Sequence, residues 1–388
     1  MEEKNIDFKN YRNYINIFFI NSFHFLLFFY KKNEGKYNKK MKIEHDIKLD
    51  FSDVLIRPKR STLSSRSEVN IIREFTFKHS GKKWFGVPII VSNMDTTGTI
   101  KMAQSLQKHK IITCLHKYHK ADDIPQDLDR DYYSISTGIS KEDLERLDDI
   151  MEKVNPEFIT IDVPNGYSTF FLETCKLIRE KYPNKTIIAG NVCTREIVEE
   201  LAINGRIDIV KTGIGSGGAC LTRKLTGVGF PQLSCVAECA DAAHGLGIHV
   251  ISDGGITCAG DICKAFGASG DFVMCGSMFS GTEESNGEMI EEDGKLYKYF
   301  YGMSSSMAME KYHGGVSNYR SSEGRVCKIP YRGPVENIIL DILGGIRSCQ
   351  TYIGAQNIKD IPKCCTFIRV NNQLNNTLHQ YTTDYKTR

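Results

Sequence analysis

One cysteine closes a glycine-rich stretch, Gly213-Ile-Gly-Ser-Gly-Gly-Ala-Cys220-Leu-Thr-Arg223. Its glycines, at 213, 215, 217 and 218, admit backbone conformations closed to other residues and allow a ligand to approach closely. Such a loop can turn several N–H or C=O groups onto one point. Cys220 is held there on irregular, reachable backbone, with a hydroxyl (Thr222) and a guanidinium (Arg223) just after it. That pattern suits a nucleophilic sulfur beside a proton-transfer group. The plainer alternative is a flexible loop with an inert thiol, the commoner fate of free cysteines.

Other residues could join it. Asp253-Gly254-Gly255 and Gly276-Ser277 have the small side chains of phosphate-binding turns, and Asp253 would suit a ribose hydroxyl pair. Ordinary tight turns would look the same. Lys117 could meet a cofactor phosphate or donate a proton, or be a solvated lysine. Glu323, a lone carboxylate in Arg320-Ser-Ser-Glu323-Gly324, could share proton movement with Thr222. His116, His119 and His244 have no common metal-ligand spacing. Together these residues suggest a nucleotide-like substrate attacked by a thiolate. They do not name the reaction.

The elements that must position them are set by apolar patterning. Short apolar runs at 88–91, 111–115, 133–137, 158–162, 186–189, 208–211, 249–252 and 272–274 read as buried parallel strands. Amphipathic stretches such as 141–154, 170–181, 194–204, 234–244 and 259–266 alternate with them. This α/β alternation predicts a (β/α)8 TIM barrel, whose chemistry collects where strands end. A doubly wound open sheet is the alternative, but no G-x-G-x-x-G comes after the first strand. Asn93-Met-Asp95, His116-Lys117, Asp162-Val-Pro-Asn165, Gly190-Asn191 and the cysteine loop all stand at strand ends. After the eighth strand a long polar segment, about 280–333, carries an Asp293-Gly294 turn signal and several Tyr and Met residues. It reads as a mobile flap over the active face.

The chain has 388 residues, 41% hydrophobic and 25% charged, which suits a large globular core. A net charge of +3 argues against nucleic acid or an acidic membrane as partner. The 13 cysteines form no C-x-x-C pair, so neither a disulfide framework nor a zinc site is expected, and a reducing cytoplasm is the simplest home. Residues 1–40 differ: the run 15–30 is apolar but interrupted by Asn16, Asn21, Ser22 and His24, too broken for a membrane span. We expect a disordered or mis-assigned N-terminal extension ahead of a single catalytic domain, 41–388.

The motifs Leu49-Asp-Phe-Ser-Asp-Val-Leu-Ile-Arg-Pro-Lys-Arg60, Ser92-Asn-Met-Asp95, Leu115-His-Lys117, Asp162-Val-Pro-Asn-Gly166, the Cys220 loop, Thr226-Gly-Val-Gly-Phe-Pro-Gln232, Ser252-Asp-Gly-Gly255, Phe300-Tyr-Gly-Met-Ser-Ser305, Ser322-Glu-Gly324 and Asp341-Ile-Leu-Gly-Gly345 carry a resemblance. From about Lys48 to Val370 the chain resembles the guanosine monophosphate reductases, relatives of the inosine monophosphate dehydrogenases. The resemblance implies a flapped barrel, usually a homotetramer, that reductively deaminates GMP to IMP and ammonia with NADPH. It implies Cys220 as the nucleophile forming a covalent thioimidate at purine C2. Thr222 and Glu323 match the proton relay, and Lys117 a lysine near the cofactor and leaving group. By the same matching, GMP phosphate and ribose fall to Asp253, Gly254, Gly255, Gly276 and Ser277. The base falls to Gly302, Met303, Ser304, Arg320, Ser322, Glu323 and Gly324. NADPH falls to Lys117, Asp162, Val163, Pro164, Gly215, Met303 and Tyr319. From a neighbouring subunit it would be reached by Ser65, Arg66, Ser348, Cys349, Gln350 and Thr351. Gly215, Gly217 and Cys220, with Arg223 close by, match a monovalent-cation (potassium) site.

Two departures stand out. The family usually reads Gly-Pro-Gly-Ser before the cysteine, and this chain reads Gly215-Ser216-Gly217-Gly218. Leu221 stands where a small polar residue is usual. The rival readings are an NAD-dependent IMP dehydrogenase and a non-catalytic nucleotide-binding barrel. The dehydrogenases usually carry an inserted regulatory domain and a longer flap with an Arg-Tyr pair, and neither is seen here.

Overall fold

The computed structural model describes residues 42–319 and 321–371. The expected extension at 1–40 and Arg320 lie outside the described residues. The chain divides into Met1–Ile47 and Lys48–Arg388. The described part of the first unit, 42–47, has no helix or strand. Every helix and strand among the described residues belongs to the second unit.

Strands β1 (Val54–Ile56), β2 (Arg73–Thr76) and β3 (Lys83–Gly86) come first, β2 and β3 pairing as an antiparallel hairpin. Then β4 (Ile89–Val91), β5 (Ile112–Leu115), β6 (Tyr133–Thr137), β7 (Phe158–Asp162), β8 (Thr186–Val192), β9 (Ile209–Thr212), β10 (His249–Asp253) and β11 (Phe272–Cys275) close a parallel barrel. All residues of β4, β5, β6, β9 and β11 are buried, because helices cover the outside and side chains fill the inside. The expected (β/α)8 barrel is therefore present. The covering helices start where hydroxyl caps allow: Ser140 and Ser168 accept the Asp143 and Phe171 N–H groups ahead of helices Lys141–Lys153 and Thr169–Lys181.

Four strands run past their apolar patterns, β9 and β11 by one residue each to Thr212 and Cys275. β8 continues to Val192 and β10 to Asp253, because the ladders continue through Gly190 opposite Lys211 and Asp253 opposite Met274. Asn191 and Asp253 thus project from ordered strand ends. The other end of the barrel is plugged by the hairpin. Phe75, Phe77 and Trp84 are buried against Ile112, Phe158, Ile251 and Phe272, with the Phe75 and Phe272 rings 4.3 Å apart.

The long segment after β11 is no plain loop. It builds an antiparallel sheet of β12 (Met289–Glu292), β13 (Lys295–Tyr301) and β14 (Val326–Pro330), with helix Ser306–His313 between the last two. The Asp293-Gly294 turn joins β12 to β13 with φ 52° and 70°, the left-handed pair that a two-residue hairpin needs. Finally β15 (Phe367–Arg369) pairs with β1.

Arg179 and Asp208 form a buried ion pair at 2.6 Å, their side chains 3% and 0% exposed. The guanidinium also donates to the Pro183, Lys185 and Arg206 carbonyls, and Asp208 accepts from the His79, Ser80 and Ile187 amides. Arg179→Met would leave that carboxylate buried without its cation. We expect a loss of about 3–5 kcal/mol, read by urea unfolding. An unchanged midpoint would show that the pair does not brace the barrel.

Candidate active site

At the strand-end face the loops converge on a cavity of about 300 Å³, lined among others by Asp162, Val163, Asn191, Lys211, Cys220, Thr222, Asp253, Met303 and Glu323. The cysteine loop enters it by close backbone packing. At Gly213, φ is 137°, and a Cβ would stand 2.1 Å from the Asp253 carbonyl oxygen. At Gly254, φ is 96°, and a Cβ would stand 2.4 Å from Ser216 Oγ. The loop and the β10 turn therefore fit only as glycine against backbone. Ser216, at the position of one departure, donates to the Asp253 carbonyl at 3.1 Å. At Gly218 a Cβ would meet nothing within 4 Å, so local packing does not demand glycine there.

Cys220 is partly exposed. Its thiol donates to Thr222 Oγ1 at 3.1 Å, and the Thr222 hydroxyl donates to Glu323 Oε2 at 2.7 Å. The Thr222 backbone N–H points at the same sulfur from 3.4 Å. Glu323 comes from the far side of the insertion and is fixed by main chain: Leu221 N–H donates to Glu323 O at 2.7 Å, and Arg325 N–H to Ala219 O at 2.8 Å. Gly302 and Gly324 pack there too, since a Cβ on Gly324 would lie 2.6 Å from Ser305 N. Ser322 Oγ donates to the Ser304 and Gly324 carbonyls at 3.4 Å. A sulfur, a hydroxyl and a carboxylate thus form one hydrogen-bonded line.

Deeper in, Lys211 is the penultimate residue of β9 and is 2% exposed. Its ammonium lies 2.6 Å from Asp162 Oδ1 and 2.9 Å from Asp253 Oδ2, and also donates to Asn191 Oδ1. Asn191 Nδ2 donates to Asp253 Oδ2 at 2.9 Å. Burial alone would lower the lysine's pKa, but the two carboxylates outweigh it and raise the pKa well above the usual value. Burial likewise pushes Asp162 up, and the Lys211 charge overrides it and holds Asp162 below the usual carboxylate range. Gly255 has φ 77°, and a Cβ at Gly276 would reach Ser92 Oγ at 2.7 Å, so both turns bring bare backbone to the cavity beside Ser277.

Not every expected residue meets the cavity. Lys117 stands outside its lining, the ammonium 3.4 Å from Asp143 and 5.3 Å from the Tyr118 ring. Tyr319 is 85% exposed on the insertion. Arg223 turns away: it grips Asp50 at 2.8 and 3.3 Å and donates to the Phe230 carbonyl at 2.5 Å. That ties the cysteine loop to the first turn of the unit. Gly215 and Gly217 offer only main-chain groups, and the Gly217 carbonyl already accepts Cys220 N–H at 2.9 Å. Ser65 and Arg66 lie in an exposed turn against helix Val335–Ile353, which carries Ser348, Cys349, Gln350 and Thr351. None of these six lines the chain's own cavity. Gln350 is fully buried and donates to the Asn70 and Ala355 carbonyls at 3.3 and 3.2 Å. Among the described residues no group of three His, Cys, Asp or Glu could hold a metal ion.

Sequence reasoning passed over Lys211 as a site residue and noted Asn191 only as a polar residue at a strand end. The signal was there: a lysine ending an apolar strand, just before the glycine loop, must find a counter-charge when the barrel closes.

A closed parallel barrel with a thiol, a carboxylate relay and bare glycine turns at its strand ends defines a class of nucleotide-transforming barrel enzymes. The IMP dehydrogenase / GMP reductase domain matches residues 48–377, and the chain belongs to that family. It is 54% identical over 343 residues to the GMP reductase of Photobacterium profundum, covering 87% of this chain and 99% of that protein. It is 54% identical over 341 residues to human GMP reductase 2, covering 86% and 97%. It is also 54% identical over 343 residues to the GMP reductase of Klebsiella pneumoniae, covering 86% and 98%.

Lys211→Met would leave Asp162 and Asp253 facing each other without a cation. We expect a stability loss of about 3–5 kcal/mol by chemical denaturation, with nucleotide binding weakened together with it. Lys211→Arg should restore only part, since a planar fork cannot replace a compact ammonium. Unchanged stability and affinity in the Met variant would sink the idea.

Proposed function

We propose that the protein reduces GMP to IMP and ammonia, consuming NADPH, and that Cys220, Thr222 and Glu323 carry the chemistry. The observation that carries the reading is the aligned thiol–hydroxyl–carboxylate line, in a chain 54% identical to named GMP reductases.

The direction of the hydrogen bonds supports the following order of steps. The sulfur's proton has a path through Thr222 Oγ1 to Glu323 Oε2. The freed thiolate bonds to purine C2, and the proton stored on Glu323 returns to the amino group. The C2–N bond then breaks and ammonia leaves, with the purine held on sulfur as a thioimidate. NADPH, when bound, would supply the hydride for C2, upon which the C2–S bond would break and return Cys220 to its thiolate. Overall GMP, NADPH and two protons give IMP, NADP⁺ and ammonium.

Asp253 is read as the ribose anchor, steadied by Lys211 and Asn191. Gly254, Gly255, Gly276 and Ser277 are read as the phosphate turns. Gly302, Met303, Ser304, Arg320, Ser322 and Gly324 are read as the base contacts. Asp162, Val163, Pro164, Gly215, Lys117 and Tyr319 would hold NADPH; the low pKa of Asp162 keeps an acceptor ready at the cavity wall. Ser65, Arg66, Ser348, Cys349 and Thr351 would serve a neighbouring subunit's cofactor in a homotetramer, with Gln350 shaping that surface from beneath. A donor set of carbonyls alone, from Gly215, Gly217 and Cys220, fits a hard monovalent cation such as potassium. Arg223 would then brace the loop that carries those carbonyls. The segment 280–333 is read as a flap that moves. A protein starting at Met41 should retain activity, since the family match begins at residue 48. No described helix is long and apolar enough to cross a membrane, and we read the protein as cytoplasmic.

The dehydrogenase reading is disfavoured by the short stretch between Gly302 and Glu323, filled by the one helix Ser306–His313. No Arg-Tyr pair lies within it.

With purified protein, GMP and NADPH in potassium buffer, we expect GMP-dependent loss of absorbance at 340 nm with ammonia released. Cys220→Ala should abolish turnover yet still bind GMP. Thr222→Ala and Glu323→Gln should each lower kcat by about 10²–10⁴-fold. Reduction of NAD by IMP, without the forward reaction, would move the assignment to the dehydrogenase. GMP binding with neither reaction would leave a binding barrel.

A further inference from the structure

Asp95 lies just after β4 and is 1% exposed, yet no barrel residue gives its carboxylate a strong donor among the described residues. All its donors come from the insertion. The Tyr301 hydroxyl donates to Oδ2, the Tyr312 hydroxyl to Oδ1 at 2.7 Å, and the Lys311 ammonium to both oxygens at 2.9 and 3.1 Å. His116 approaches only to 3.7 Å. Burial, reinforced by the His119 ring stacked 3.8 Å away, pushes the His116 imidazole down to about 3, so it stands neutral and Lys311 is the counter-charge.

The same residue is gripped along its main chain. Asn286 Nδ2 donates to the Asp95 carbonyl at 3.2 Å, and Asn286 N–H to Thr96 O at 2.8 Å. Asp95 N–H points at Met303 Sδ from 3.2 Å. Next to this, the Tyr118 ring stacks flat on Tyr312 at 3.6 Å, and its hydroxyl meets His313 at 3.2 Å. The strand-end loops of β4 and β5 therefore meet the insertion at one carboxylate.

We propose that Asp95 is a positioning residue that docks the insertion onto the barrel and thereby sets Met303 and Ser304 for the purine. The physical reason is one-sided satisfaction. With the insertion lifted, the carboxylate loses its strong donors and its cation together and keeps only a neutral imidazole beside it. With it seated, three donors, one of them a cation, satisfy that carboxylate. Tyr301 ends β13, one residue before Gly302-Met303-Ser304, so the Asp95–Tyr301 bond sets the height of those residues over the cavity. Asp95 touches neither Cys220 nor the relay in this arrangement; it acts through the segment that meets the base. The proposal rests on the GMP-reductase reading for its kinetic readout, but its structural readout does not.

The test is Asp95→Asn in the full chain, with Tyr312→Phe and the double variant beside it. We expect the KM for GMP to rise at least tenfold in Asp95→Asn, with a smaller fall in kcat and a nearly unchanged Tm. Tyr312→Phe should show a smaller rise, and the double variant should add little to Asp95→Asn, as for partners in one contact. Trypsin cleavage after Lys311, read by mass spectrometry, should speed up in Asp95→Asn and slow again when GMP is saturating. Wild-type KM and wild-type cleavage in the Asn variant would overturn the proposal. So would a large drop in Tm with the KM of the folded fraction unchanged, which marks a merely structural carboxylate. If Asp95→Asn does not fold, Tyr312→Phe decides alone by the same two readouts. If the wild-type protein shows no GMP-dependent NADPH oxidation, the functional reading fails, while the cleavage comparison still judges the docking.

Discussion

A lysine ammonium sunk among two carboxylates and an amide is the interaction on which the rest of this site depends. Lys211 cannot leave β9 without leaving Asp162 and Asp253 unbalanced, and neither aspartate can turn away without stranding the lysine. The arrangement carries a net negative charge inside the barrel mouth, and Lys211 and Asn191 offset it by donating to Asp162 Oδ1 and Asp253 Oδ2. It spans β7, β8, β9 and β10 at one level, so the register of the barrel and the position of the ligand-facing groups are a single constraint. The fold thereby produces a cross-braced floor, above which the cysteine loop and the insertion meet.

Those parts are joined by main chain more than by side chains. The Cys220 loop and the stretch around Glu323 exchange backbone hydrogen bonds, Leu221 with Glu323 and Ala219 with Arg325. The carboxylate reaches Thr222 because the two segments are locally paired, as in a strip of sheet. The relay is an assembled object: half of it belongs to the barrel and half to the insertion. Asp95 seats the same insertion from its other side. A residue remote from the sulfur thus bears on how the insertion presents Met303 and Ser304 to the cavity.

The barrel was legible because parallel strands covered on both faces read as unbroken apolar runs; 133–137 and 158–162 match β6 and β7 residue for residue. The extra length of β8 and β10 was not, because Asn191 and Asp253 are polar and their pairing depends on neighbours far along the chain. The β2–β3 hairpin was missed since its core residues, Phe75, Phe77 and Trp84, are interleaved with charge. The insertion's turn at Asp293-Gly294 was readable, but its sheet was not: β12 and β14 are largely exposed and carry no apolar run. In the site, Thr222 was readable from its spacing to Cys220, and Glu323 only as a lone carboxylate. Lys211 looked like the polar end of a strand; its place there signals a need for counter-charge but not which distant aspartates supply it.

The aromatic plug formed by Phe75, Phe77 and Trp84 has a consequence for the cavity. It fills the strand-start end of the barrel with packed rings, so the strand-end cavity is backed by solid core and not by an open channel.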